Sequence, residues 1–214
     1  MIKLHNISLY IHRVQPTEKM LKSLESNLTL KNALYPITKS YCKKITVPAG
    51  LTNANQPNII HGKLPRQIVI GFTYAESMNG DQTRNPFRFL HFFTRFLAIR
   101  VSGSQLPSKG FRPNFKDKIV RRELRALYDN TGVLTENHGC LISADDFIGG
   151  NCFFVFDLCE DKTNGLAHGH QEKQGSIDLE ITFERPLPES ISVLIYSAYD
   201  AVVAINKNRN VIVY

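Results

Sequence analysis

The sequence predicts an all-β sandwich of about eight strands, with two short helices inserted in connections. Three observations carry this. The last third of the chain is almost continuous strand-like sequence, from Cys152 to Leu158, Ser176 to Phe183, Ser190 to Tyr199 and Val202 to Tyr214. Ile68, Val69 and Ile70 form an unbroken β-branched run, as in a strand covered on both faces, and Gly71 ends it. Helical periodicity is confined to two segments, 17–28 and 116–129. With 214 residues and a hydrophobic fraction of 43%, one large domain spanning residues 1–214 is expected.

The elements follow in order. Residues 2–14 alternate, with Ile7, Leu9 and Ile11 on one face and Ser8, Tyr10 and His12 on the other, and are expected to form a strand. A strand beginning so early leads to the expectation that further sequence precedes it. Pro16 stops it, Thr17 is an N-cap candidate, and Met20, Leu21, Leu24 and Leu28 give an apolar helical stripe. A strand over 36–48 uses Ile37, Tyr41, Ile45 and Val47, and residues 49–58 are polar enough to read as loop.

The strand 66–73 leads into a loop over 76–88. Met78-Asn-Gly-Asp81 supplies turn chemistry there, and Asn85-Pro86 forces extended backbone. Phe87, Phe89, Phe92, Phe93 and Phe96 are expected to give core mass on the return. A strand over 92–101 closes at Ser102-Gly-Ser104, a hairpin turn, and Pro107 to Pro113 reads as loop. The helix over 116–129 places Ile119, Val120, Leu124 and Leu127 on its apolar side and stops at Gly132. Ser143-Ala-Asp-Asp146 is a capping-box pattern opening one short helical turn. Gly165 to Gly175 is a polar connection, and Asn206 to Asn210 makes the last tight turn.

No catalytic or cofactor-binding constellation is present. His168 and His170 lack a defined third metal ligand. The carboxylate pairs Asp145-Asp146 and Glu160-Asp161 are adjacent in sequence, whereas glycoside hydrolysis needs two carboxyls across a cleft. Cys140 beside His138 has no nucleophile signature around it, and no Gly-Lys-Ser/Thr follows the Gly62–Gly71 spacing. The cysteines at 42, 140, 152 and 159 form no CxxC pair and read as reduced, buried thiols. The chain shows no secretory leader and no apolar stretch long enough to span a bilayer, so a soluble, intracellular, non-enzymatic protein without membrane or small-molecule partners is expected.

The net charge of +7 permits contact with nucleic acid. Lys116, Lys118, Arg121, Arg122 and Arg125 form the densest basic run, and Lys118, Arg121, Arg122 and Arg125 are the candidate DNA-contact patch.

The order of several landmarks resembles the major capsid protein of Maverick/Polinton elements and adintoviruses. They are Ile2-Lys-Leu-His-Asn-Ile-Ser-Leu-Tyr-Ile11, Leu34-Tyr-Pro-Ile37, Ile60-His-Gly-Lys-Leu-Pro-Arg66 with Ile68 to Gly71, and Asn79-Gly80 with Arg84 to Phe89. Phe156-Asp-Leu158, Gln174-Gly-Ser176 and Asn206 to Val211 follow in the same order. The resemblance implies a double jelly-roll protein, of which this chain resembles the C-terminal jelly-roll, with the first one absent. It further implies homotrimeric capsomers that build an icosahedral shell with other capsid proteins, and location in a virion. It places an assembly-interface loop at Asn79, Arg84, Asn85, Pro86, Phe87 and Phe89. The rival expectation is a stand-alone β-sandwich binding module for nucleic acid or glycan. A cupin-type metal enzyme ranks below both, because no histidine follows His170 to complete a ligand set.

Overall fold

Alternation of apolar and polar residues sets the strands. In a computed structural model that describes residues 5–133, 139, 142–159 and 172–214, the described residues form nine strands and four helices. Strands β1 (Ala33–Val47), β3 (Gln67–Tyr74), β6 (Phe153–Asp157) and β8 (Ile191–Ile205) lie in one sheet in the order β1-β8-β3-β6, and β9 (Val211–Val213) pairs with β8. Strands β2 (Asn53–Lys63), β4 (Thr94–Val101), β5 (Ser104–Phe111) and β7 (Gln174–Phe183) form the second sheet in the order β2-β7-β4-β5.

This order has a simple physical description. The chain pairs β4 with β5, β3 with β6, β2 with β7 and β1 with β8, as one long double-stranded ribbon folded back at the β4–β5 turn. Wrapping that ribbon puts alternate pairs in opposite sheets, which is the jelly-roll. The turn itself is a two-residue hairpin with Ser102 (φ 48°) and Gly103 (φ 87°) both left-handed, as the twist of the flanking strands requires.

The chain divides into two compact units, residues 38–200 and residues 1–37 with 201–214. The larger unit holds the core. Inward positions of β7 (Ile177, Leu179, Ile181, Phe183), β4 (Leu97, Ile99), β3 (Ile68, Ile70, Phe72) and β8 (Ile191, Val193, Ile195) are buried. Phe154 of β6 bridges the sheets. Its ring lies 5.9 Å from Phe72 of β3 and 5.9 Å from Phe111 of β5. The smaller unit contains the helix α1 (Glu18–Leu30) and the β8–β9 hairpin, registered by Val203 opposite Val213. The segment 18–30 is helical as its spacing predicts, although Thr17 occupies the N-cap position without a side-chain hydrogen bond.

Several expectations are corrected. Residues 5–17 form no strand, and Ile7, Leu9 and Ile11 are exposed, because alternation without a pairing partner does not fix a strand. Residues 53–58 and 107–111, expected as loop, belong to strands β2 and β5. The third helix, α3 (Arg121–Asn130), starts later than its periodicity predicts. Asn114 and Asp117 bond each other, the Asn114 amide donating to the Asp117 carboxylate and the Asp117 N–H to Asn114 Oδ1. With Lys118 at φ 56°, these bonds turn the chain before the helix begins and leave Ile119 exposed.

A four-residue helix, α2 (Ala75–Met78), has no sequence forecast. Helix α4 (Ala144–Gly149) opens with the anticipated capping box, Ser143 Oγ accepting from the Asp146 N–H and Asp146 accepting from the Ser143 N–H. Cys152 and Cys159 are buried free thiols, but Cys42 is exposed on β1, where only Val47 is buried. Glu123 is buried on α3. Burial raises its carboxyl above the ordinary range, and its oxygen accepts the Arg112 N–H.

Candidate functional site

The segment from Asn79 to Phe89 is built as a braced projection. β3 ends at Tyr74, and α2 turns the chain at once, with the Ser77 hydroxyl donating to the Tyr74 carbonyl. Asp81 then closes an Asx turn, its Oδ1 accepting from the Thr83 hydroxyl at 2.7 Å and the Thr83 N–H at 2.8 Å. Those bonds hold its carboxyl below the usual range. Asn85 makes a second such turn, accepting from the Phe87 N–H at 2.9 Å.

Arg84 is the brace. Its guanidinium grips Glu189 through Nη1 at 2.6 Å and Nη2 at 3.3 Å, lies 3.5 Å from Asp81, and covers the Tyr74 ring at 4.6 Å. A bidentate contact of this kind fixes orientation as well as charge. Phe89 is the second anchor. Its ring packs against Phe153 in a tilted contact, centroids 4.6 Å apart, and covers Gly71, where a Cβ would lie 2.7 Å from Phe89 Cδ1, so only glycine admits the ring. The backbone of Phe89 donates to Gly150 and accepts from Cys152.

Between the anchors the tip is left exposed. Phe87 is 77% exposed, which corrects the expectation that it adds core mass; Phe92 is buried, and Phe93 and Phe96 are partly buried. Pro86 is half-buried, Asn85 is exposed, and Asn79 is exposed with its Oδ1 accepting from Lys44 Nζ. The predicted loop residues thus fall into two sets: Arg84 and Phe89 hold the loop, while Phe87 projects from it. The partners Glu189 and Tyr74 carry no sequence signal for this role; Glu189 lies 105 positions from Arg84.

The candidate basic patch is not one surface of free cations. Arg122 donates to the Gly110 carbonyl at 3.0 Å and to the Lys109 carbonyl, and its guanidinium covers Phe111. Arg125 pairs with Asp129 at 3.2 Å, and Lys118 sits off the helix, 3.9 Å from Asp145. Arg121 is exposed in the first turn of α3. His138, Cys140, Glu160, Asp161, His168 and His170 lie outside the described residues. Among the described residues no cluster of three His, Cys, Asp or Glu side chains could hold a metal, and no helix is long and apolar enough to cross a membrane.

The strand order defines the class of fold, a jelly-roll β-sandwich. No protein-family model matches the chain. Uncharacterized protein F54H12.2 of Caenorhabditis elegans is 23% identical over 182 residues, covering 84% of this chain and 43% of that protein, so the chain spans less than half the length of this relative. Among solved structures, a chain of the Sputnik virophage structure covers 86% of this chain and 39% of its own length, with a TM-score of 0.47 and 14% identity. A chain of the PBCV-1 virus capsid covers 85% of this chain and 51% of its own, with a TM-score of 0.44 and 9% identity.

Proposed function

We propose that the chain is a structural capsid protein of a Maverick/Polinton-type element, one jelly-roll domain over residues 1–214 that assembles through homotrimeric capsomers into an icosahedral shell with other capsid proteins. The observation that carries this reading is the braced loop that holds Phe87 in solvent on a jelly-roll scaffold. A fold alone does not specify a task. Phe87 is one of several exposed apolar side chains, but its loop is fixed before any contact by a bidentate ion pair and a ring anchor, and such preorganisation lowers the cost of association.

The mechanism is burial rather than catalysis. Each square ångström of apolar surface removed from water contributes roughly 25 cal/mol, and permanent interfaces commonly exceed ~2,000 Å². Trimer closure pairs one patch with a different patch on the neighbour, so the loop needs a receptor surface elsewhere on the same chain. The net charge of +7 suits a shell wall facing packaged DNA. In this reading the chain has no cofactor, no membrane partner and no substrate, and it resides in the virion after assembly inside the cell.

Phe87→Asp separates assembly from folding. Because Phe87 is exposed, the substitution should change unfolding free energy by less than about 0.5 kcal/mol. Removing one buried phenylalanine from a contact and desolvating a carboxylate there should weaken association at least about tenfold. Sedimentation velocity on both proteins reads this directly. Equal association of the two proteins would remove the loop from the interface.

A further inference from the structure

The outer face of the β2-β7-β4-β5 sheet carries a cleft of about 660 Å³ that the loop does not use. Phe96 and Thr182, directly paired on β4 and β7, line it together with Glu180. Arg95, Arg112 and Lys116 also line it. The sequence explains the placement. Inward positions of β7 are apolar, so Glu180, Thr182 and Glu184 alternate outward, and Gly110 leaves room for the Phe96 ring, whose Cε2 lies 2.4 Å from where a Cβ would stand. Arg112 follows β5 and covers that ring at 5.6 Å.

The cations of the cleft differ from those of α3. Arg122 and Arg125 are occupied by carbonyls and by Asp129. Among the described residues Arg95, Arg112 and Lys116 make no ion pair. Of the two lining carboxylates, Glu180 is already held by Arg100 at 3.0 Å, which leaves Glu184 against three cations. A concave surface with an uncompensated excess of one sign concentrates its field on an incoming counter-charge. Guanidinium groups match phosphate oxygens in pairs, and Arg112 already lies over the Phe96 ring, at the outer range of a cation–π contact, before the ligand arrives.

We infer that this cleft, through Arg95, Arg112 and Lys116, binds the phosphate groups of a nucleic-acid strand, and that it rather than α3 is the chain's principal nucleic-acid contact. The inference deepens the DNA contact of the proposed function, yet it does not need shell assembly, because the cleft lies within one chain.

The test is fluorescence anisotropy with a labelled single-stranded oligonucleotide and its duplex, across a salt series. The full chain is kept dilute, and its mass is measured in parallel. The R95Q/R112Q/K116Q variant should bind at least about tenfold more weakly, with the slope of log affinity against log salt reduced by about two, since each neutralised phosphate contributes roughly 0.7–0.9. The R121Q/R125Q variant should stay within about threefold of the unmodified chain. Lys116→Glu, a change at one exposed position, should weaken binding several-fold and gives a readout separate from the triple variant's folding. Absence of binding by the unmodified chain, equal binding by the cleft variants, or an equal loss in the α3 variant would overturn the assignment. So would displacement by inorganic phosphate at the concentration of oligonucleotide phosphate, which would mark a free-phosphate site. A chain that binds but never associates would contradict the shell reading alone.

Discussion

Phe154→Ala should lower the unfolding free energy by about 3–5 kcal/mol, the largest single-residue effect expected in the chain. Phe154 is 1% exposed on β6 and contacts rings from three directions: Phe72 on β3, Phe111 on β5 and Phe147 on α4 at 6.3 Å. Truncation removes the transfer free energy of the ring and leaves a cavity whose walls belong to both sheets. The sheets cannot close on it independently, because β3 is fixed between β6 and β8 and β4 between β5 and β7. Phe154→Leu should recover a substantial part of the loss. Chemical denaturation of the three proteins measures both, and a cost for Phe154→Ala below about 1 kcal/mol would show that the sheets are not joined through this ring.

A second large effect is expected from acid. His91 stacks on Phe115 at 4.0 Å, and its Nδ1 accepts the Phe93 N–H at 2.9 Å. Burial, and then the positive charge of Arg185 above the Phe93 ring, lower its pKa from 6.5 to about 4. The unfolded chain therefore takes up a proton between these values that the folded chain refuses, and stability falls as pH drops from 6.5 to about 4. The loss should reach about 2 kcal/mol, less than the full linkage value because the ring is only partly buried.

Glu123 acts in the opposite direction. Its carboxyl is raised by burial, so protonation favours the fold as pH falls. Asp81 and Asp146, lowered by their hydrogen bonds, lose their contribution as pH falls through the ordinary carboxylate range and below it, mostly beneath the histidine's window. His91→Asn keeps an acceptor near the Phe93 N–H but does not titrate. The difference between the two proteins' stability–pH curves isolates the histidine, and parallel curves from pH 7 to 4 would contradict its role.

The central strands were legible because each buries a face. In β7 the alternation of Ile177, Leu179, Ile181 and Phe183 needs no tertiary information, and β3 announces itself by its β-branched run. The two strands misread as loops, β2 and β5, are the edges of their sheet. Pro57 and Pro107 are tolerated there because an edge has no second neighbour to bond, and polar residues dominate because one flank faces water. Only Ala54 and Ile59 of β2 are buried, too few to set a period.

The opposite error at Ile7, Leu9 and Ile11 has the same origin. Alternation records which faces could be buried, not whether a partner strand exists. At the site, Asn79, Asn85 and Pro86 were readable as turn residues from their own chemistry. The brace was not, since Arg84 and Glu189 meet only after the jelly-roll has closed. Nor could basic spacing along 116–125 separate cations already occupied from those left free across the sheet.

The proposed function requires this chain to associate with copies of itself through a preformed surface. Its most direct test is the mass of the unmodified chain by light scattering after size exclusion, over a concentration series. Mass should rise with concentration to a trimer or a larger closed assembly. A monomer whose mass does not change with concentration would contradict it.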